Sequence, residues 1–395
     1  MAGLFILRAG FRVPLALDDA HHCGIHSKHQ PLKTLYPLHY TSPKETGEMI
    51  FRLSSVLWLL FALAGCESLG YYSQAASGQL SLLNDRQPIE QLIEDPTTAV
   101  DLRAQLQLVL ELRAFAHSEL LLPVEGQYSH YVNLERDYVV WNVFAAPELS
   151  LEPKTWCYPF AGCSAYRGYF KQQGVRKYAL ELAEQGYDTY VGGVAAYSTL
   201  GWLNDPVLNT FIYREESQLA DLIFHELAHQ LLYVPGDTMF NESFATTVSA
   251  VGVQRWMEKR NNTEQYEEYL KGRAQQEDFI RLLSRYRERL LQVYEAPSGD
   301  VEKRRRKKEQ IERLREAFIS LQQQWGDSQA YSAWMATPIN NAKLNSVALY
   351  HDLVPALERL LAEEKYQLPN FYQRCTQLAG LSPEERRALL EAPLN

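Results

Sequence analysis

Residues 221–233 read "DLIFHELAHQLLY": two histidines four apart, His225 and His229, with Glu226 directly after the first. On a helix, residues four apart lie one above the other on the same face. The two imidazoles can therefore share one metal ion, while Glu226 stands at the edge of that face, within reach of a metal-bound water. The competing reading is a core helix that carries two satisfied histidines. The flanks "DLIF" and "LLY" are strongly apolar and suit burial. Burying two unpaired imidazoles is costly, so a shared metal is the favoured use.

H-E-x-x-H is the spacing of zinc metalloproteases. A catalytic zinc usually has three protein ligands and one water, so a third ligand is required. The metzincin layout is excluded, because Leu232 and Pro235 stand where it needs Gly and His. Further on, "DTMFNESFATTVSAVGVQRW" opens like a helix, with Asp237 or Thr238 as its cap. Glu242 lies in "NESFA", and in gluzincin peptidases an Asn-Glu pair on a second helix supplies the glutamate ligand. The expected set is His225, His229 and Glu242 around one Zn²⁺ per chain, with Glu226 as general base. Two features depart from the gluzincin pattern. The connection is shorter, and Thr246 replaces the usual aspartate four residues after the ligand. The group that fixes the histidine tautomer must come from elsewhere, or from Thr246 and Thr247. Asp237 is the next candidate if Glu242 does not reach the metal.

The N-terminal region has a different character. Residues 1–48 hold five of the ten histidines and show no sustained period. They are expected to be a non-native or disordered segment upstream of a start at Met49; a metal-binding tail is the alternative. "MIFRLSSVLWLLFALAGC" then has Arg52, an apolar stretch from Val56 to Ala64, and small residues ending at Cys66. This is the layout of a secretory signal, and it is short for a membrane span. Leu63-Ala64-Gly65-Cys66 resembles the lipobox of bacterial lipoproteins. That implies a signal peptide over 49–65 and a mature chain that starts at lipidated Cys66. Glu67 follows rather than the aspartate of inner-membrane retention, so the expected location is periplasm-facing and lipid-anchored at the outer membrane. A cytosolic protein with an apolar N-terminal helix is the rival.

The net charge of −9 argues against a nucleic-acid binder, which would present a basic surface. "KRRRKKE" at 303–309 is a basic run among acidic residues and reads as the solvated face of a helix. Of the five cysteines, Cys157 and Cys163 flank a Pro-containing loop. Export favours a disulfide between them over half of a zinc site. Cys375 reads as a buried thiol.

Periodicity suggests a mainly α, α+β chain. Residues 66–136 read as N-terminal helices, "LSLLNDRQPIEQLIED" and "AVDLRAQLQLVLELRAFAHSELLL", with "DPTT" as break and cap. A strand-rich patch and the zinc-binding helices fill 137–259. Long charged helices broken at "APSGD" fill 260–326 and offer a partner surface or a lid. C-terminal helices over 327–395 close the catalytic domain. "VGGVAAYS" is either an edge strand for an extended peptide, with Gly192, Gly193 and Val194 as its substrate strand, or a tight crossing in the core.

A resemblance covers about 66–395. The lipobox, "YVVWNVFAAPELSLEPKTWCYPFAGCSAYRGYF", "YVGGVAAYSTLGW", "HELAHQ", "FNESFA" and "NNAKLNSVALYHDLVPA" together resemble the zinc-dependent aminopeptidase family of Gram-negative bacteria. It implies a gluzincin-like lipoprotein metallopeptidase with a zincin-like core, a small mixed sheet plus the HExxH helix. One departure concerns exopeptidase action: "GGVAAYS" lacks the glutamate with which well-described gluzincin aminopeptidases grip the substrate amine. An oxyanion donor is also needed. Tyr197, Tyr350 and Lys343 are candidates, and Tyr350 is preferred. A catalytically silent envelope scaffold that retains zinc is the alternative to a peptidase.

Overall fold

The structure is a computed structural model that describes residues 70–158, 162–196, 198–199, 203–347 and 353–391. The segment 1–48, the signal 49–65, Cys66, Tyr197 and Tyr350 lie outside the described residues. The chain divides into two compact units. In the smaller, 11–77, the described residues are 70–77, which are helical. The larger, 1–10 with 78–395, holds every element that follows.

The architecture is mainly helical α+β with small sheets, as the periodicity suggests. "LSLLNDRQPIEQLIED" is not one helix. Helical residues 78–84 (α1) stop, Gln87–Pro88 form a short strand (β1), and Ile89–Glu94 resume as α2. Pro88 has no N–H to continue a helix but is tolerated at a sheet edge. β1 pairs antiparallel with β2 (His130–Val132), which pairs parallel with β8 (Val207–Leu208). Nor does "DPTT" cap the next helix, α3 (Val100–Ser118). Asp95 instead closes its own turn by accepting from Thr97, and Ala99 stands at the N-cap.

The main sheet has the order β6-β3-β7, with β3 (Val140–Pro147) between β6 (Arg167–Tyr169) and β7 (Tyr187–Val194), all antiparallel. α4 (Gln172–Glu184) ends before Gly186, whose φ of +87° needs glycine. It covers one face, where Tyr178 meets Tyr169. α10 (Asn341–Asn345) covers the other, where Lys343 lies over Tyr190. β4 (Trp156–Tyr158) and β5 (Gly162–Ser164) form a hairpin crossed by a Cys157–Cys163 disulfide.

α5 (Glu216–Leu231) and α6 (Thr238–Arg260) are the centre of the larger hydrophobic cluster, which α3, α11 (Val354–Glu363) and α12 (Leu368–Ala379) complete. Every residue from Leu222 to His229 is buried, as an apolar-all-round helix should be. Gly252 permits the close approach of α5 and α6, because a Cβ there would fall 2.6 Å from the Phe224 ring. α7 (Thr263–Glu295) and α8 (Asp300–Gln324) form a long hairpin broken at 296–299, with α9 (Ser332–Ala336) against a second cluster. Cys375 is a buried free thiol in α12. α13 (Pro383–Glu391) follows, and among the described residues no helix is long and apolar enough to cross a membrane.

Candidate metal centre

All three expected ligands come from the α5–α6 hairpin. Its turn is short, and Asn241 makes it rigid. The Asn241 amide donates to the Val234 carbonyl at 2.8 Å, and its oxygen accepts from the Val234 N–H at 2.8 Å. Asp237 is the N-cap of α6, accepting from the Phe240 N–H, and its other oxygen pairs with buried Arg386. That double commitment removes Asp237 as a substitute ligand. Asn241 thereby fixes the start of α6, and Glu242, the next residue, turns back toward α5.

The two imidazoles and the Glu242 carboxylate then converge. His225 Nε2 lies 3.1 Å from His229 Nε2 and 3.2 Å from Glu242 Oε2, and His229 Nε2 lies 3.7 Å from Glu242 Oε1. Two ligand atoms about 2.0–2.2 Å from one ion at a tetrahedral angle stand roughly 3.3–3.6 Å apart. The observed separations fall around that range, and two neutral imidazoles with one carboxylate are a donor set for a borderline divalent cation. The residues present therefore fit a bound metal. His229 is held with Nδ1 buried and no hydrogen-bond partner among the described residues. Thr247 does not supply one, since its hydroxyl donates to the Ser243 carbonyl within α6.

The electrostatics match the geometry. Burial would raise the Glu242 carboxyl, but hydrogen bonds from His225 and His229 hold it far below the ordinary carboxylate range. Burial would lower His225, and its hydrogen bond to Glu242 reverses that and raises it. Glu226 is not among the three convergent donors. Burial raises its carboxyl, partly opposed by the two histidines, and its Oε2 has no hydrogen-bond partner among the described residues.

The model of the family described as Putative aminopeptidase matches residues 70–390. The chain belongs to that family. No curated protein and no solved structure matches it. The family description implies a peptide substrate, and His225, His229 and Glu242 form a group that could bind a metal ion.

Other expected site residues fall in different places. Gly192, Gly193 and Val194 end β7, which pairs with β3 and forms one edge of the three-stranded sheet. Gly193 also has a packing role, because a Cβ there would fall 2.5 Å from the Tyr138 ring. Lys343 is not available as an oxyanion donor. It is buried and donates to Thr337 and to the Trp334 carbonyl at 2.5 Å, beneath the Trp334 ring. Sequence reasoning missed Asn241, Arg386, Ser198 and Asp205. The N-E pair in "NESFA" could have pointed to Asn241; the others carry no local signal.

Proposed function

We propose that the chain is a zinc-dependent aminopeptidase of the cell envelope, with Glu226 as general base. The observation that carries this reading is the convergence of His225, His229 and Glu242 next to a buried carboxylate, one oxygen of which has no partner among the described residues. A purely structural zinc site closes its fourth position with protein and needs no such base, which disfavours a silent scaffold. When bound, zinc supplies a Lewis acid that polarises the scissile carbonyl and acidifies water. Glu226 Oε2 takes the proton of the attacking water and returns it to the leaving amine. The free edge of β7 at Gly192–Val194 pairs with the extended substrate backbone. Tyr350 donates to the developing oxyanion, a role for which committed Lys343 no longer competes.

The envelope location rests on the lipobox ending at Cys66 and on the Cys157–Cys163 disulfide, which suits an oxidising compartment. The family match also begins at residue 70, just beyond Cys66. In that location Cys66 carries the lipid anchor at the outer membrane, and the charged α7–α8 hairpin is a surface for a protein partner.

Metal content and cleavage of a peptide library, measured on the same preparations, test the reading. Glu226→Gln should keep the metal and lose hydrolysis by about 10²–10⁴-fold. His225→Ala should lose both. Full activity in Glu226→Gln would refute the base, and hydrolysis by the metal-stripped protein would refute the metal. Mass spectrometry of the membrane-extracted protein should find a lipidated N-terminus at Cys66; an unmodified Met1 would refute the anchor.

A further inference from the structure

The basic run at 303–309 is mostly satisfied by its own surroundings. Lys303 donates to the Tyr294 carbonyl, and Arg305 and Arg306 pair with Glu302 and Glu309 along α8. Arg304 pairs at 2.9 Å with Glu148, just past β3. Lys307 is buried, and donates to the Glu148 carbonyl at 2.8 Å and to Asp188 of β7 at 2.6 Å. Lys308 is exposed and has neither an ion pair nor a hydrogen bond among the described residues. Two turns further on, Arg315 donates one N–H to the Met335 carbonyl at 2.8 Å. Its other N–H groups have no partner among the described residues.

Both cations border one cavity of about 320 Å³, between α8 and the turn that joins α9 to α10. Arg304, Lys308, Ile311 and Arg315 stand at i, i+4, i+7 and i+11, and so form one stripe of α8 along it. Lys308 and Arg315 are roughly 10 Å apart along the helix axis, a gap that two long side chains can close. Ile311 stands between them, and Pro338 and buried Ile339 of the turn complete an apolar patch. The surrounding wall is fixed. Asn341 donates its side-chain N–H to the Pro147 and Glu148 carbonyls, and its backbone N–H to the same Asp188 carboxylate that holds Lys307.

Charge narrows the choice of ligand. Arg304 is offset by Glu148 and Lys307 by Asp188. Glu312, the other carboxylate at the cavity, offsets one of the two remaining cations, which leaves one positive charge beside apolar surface. Burial pushes the nearby Lys343 ammonium down to about 8, and the Arg315 charge adds to that fall. That agrees with a guanidinium whose charge is not cancelled locally. A single carboxylate matches the excess, and an arginine held by one N–H presents the rest of its fork to it. The volume is at the lower end for small-molecule sites, which suits a ligand of amino-acid size.

We propose that this cavity binds a small organic carboxylate with an apolar body, its charge on Lys308 and Arg315 and its apolar part on Ile311, Pro338 and Ile339. None of these residues belongs to the metal group, so the site stands or falls apart from the peptidase reading.

A ligand-observed NMR titration of the full chain with N-acetyl-leucine tests it. Binding should appear at millimolar concentration. It should weaken about fivefold in Lys308→Gln and about tenfold in Arg315→Gln, each of which removes a charged donor. Arg313→Gln lies on the same helix outside the cavity, and His225→Ala removes a candidate metal ligand; both should bind as wild type does. N-acetyl-leucinamide, which has no charge, and inorganic phosphate, which has no apolar body, should each bind at least about fivefold more weakly than the acid. Failure of N-acetyl-leucine to bind overturns the proposal, as does equal affinity for the amide or for phosphate. An Arg313→Gln as damaging as Lys308→Gln would reduce the effect to general charge, and loss of binding in His225→Ala would move it to the metal centre; either overturns the site. Lys308 is exposed and its replacement leaves the fold intact, so unchanged affinity in Lys308→Gln overturns the proposal whatever Arg315→Gln does.

Discussion

Replacing Arg386 with Met tests whether the last helix holds the metal-bearing hairpin in place. The guanidinium is 1% exposed and has four acceptors. Nε donates to the Leu378 carbonyl at 2.9 Å, Nη2 donates to the carbonyls of Ala379 at 3.3 Å and Leu381 at 2.8 Å, and Nη1 pairs with Asp237. Its charge also lies 4.8 Å from the centre of the Phe240 ring. Arg386 thus closes the open carbonyl end of α12 and neutralises the N-cap of α6 in one contact. Methionine keeps the aliphatic stem but leaves the Asp237 carboxylate buried without its cation. Breaking a buried pair by removing one partner costs about 3–5 kcal/mol. Urea unfolding of the metal-free protein should show the unfolding free energy falling by that amount, as a lower midpoint with no change in slope. Asp237→Asn keeps an oxygen for the Phe240 N–H and removes the charge, so adding it to Arg386→Met should recover part of the loss. Because Glu242 lies five residues past the cap, Arg386→Met should also weaken zinc binding. A loss under about 1 kcal/mol, or a double variant no more stable than the single, would refute this account of the clamp.

Three further outcomes follow from single contacts. Asn241→Leu should weaken zinc binding and, because it leaves the Val234 N–H and carbonyl unpaired, lower stability by about 2–4 kcal/mol by calorimetry; unchanged zinc affinity would show that Glu242 finds its place without the turn. Asp205 has a folded pKa of about 7, above its ordinary 3.8. The folded state binds the extra proton, so the stability this gives is complete below 3.8 and is lost as pH rises through about 7. The advantage of Asp205→Asn over wild type should therefore grow across that window by up to about 4 kcal/mol, and a pH-independent difference would contradict it. Asn142, in the middle of β3 between Gly168 and Gly192 on the neighbouring strands, is fully buried, and among the described residues neither of its amide atoms has a hydrogen-bond partner. Asn142→Leu should stabilise the fold by about 1–3 kcal/mol, and a lower melting temperature would mean the amide has a partner in solution.

How much of this is legible in the sequence depends on how far apart the cooperating residues stand. His225 and His229 can be read because a single helix fixes their relation, and Glu242 because it opens the very next helix. The long hairpin α7–α8 can be read because its helical period runs on over many turns, and strands β3 and β7 because eight residues each are long enough for aromatic and β-branched content to show. β1, β2 and β8 have two or three residues each, too few for alternation to show. They exist because a tertiary partner is present, and the helical pattern around Pro88 hides the first of them. Arg386 and Asp237 are 149 residues apart, so neither position marks the other. Lys343 looked like a free cation near a catalytic segment. It is spent inside a local network with Trp334 and Thr337 that no spacing rule describes.

The same distinction separates the two sides of the site. The candidate metal ligands belong to one helical hairpin, held by Asn241 at the turn and Arg386 at the cap. The loop after β7 is held by a separate network, through Ser198, Thr199 and Asp205, with Gln127 and Tyr128 behind it. Damage to the hairpin should therefore appear first in metal content and global stability. Damage to the loop should leave the metal in place and appear in stability alone. The hairpin is local in sequence and the loop network is not, so the part of the site that binds metal can be read from spacing alone. The loop network can be found only once the chain is folded.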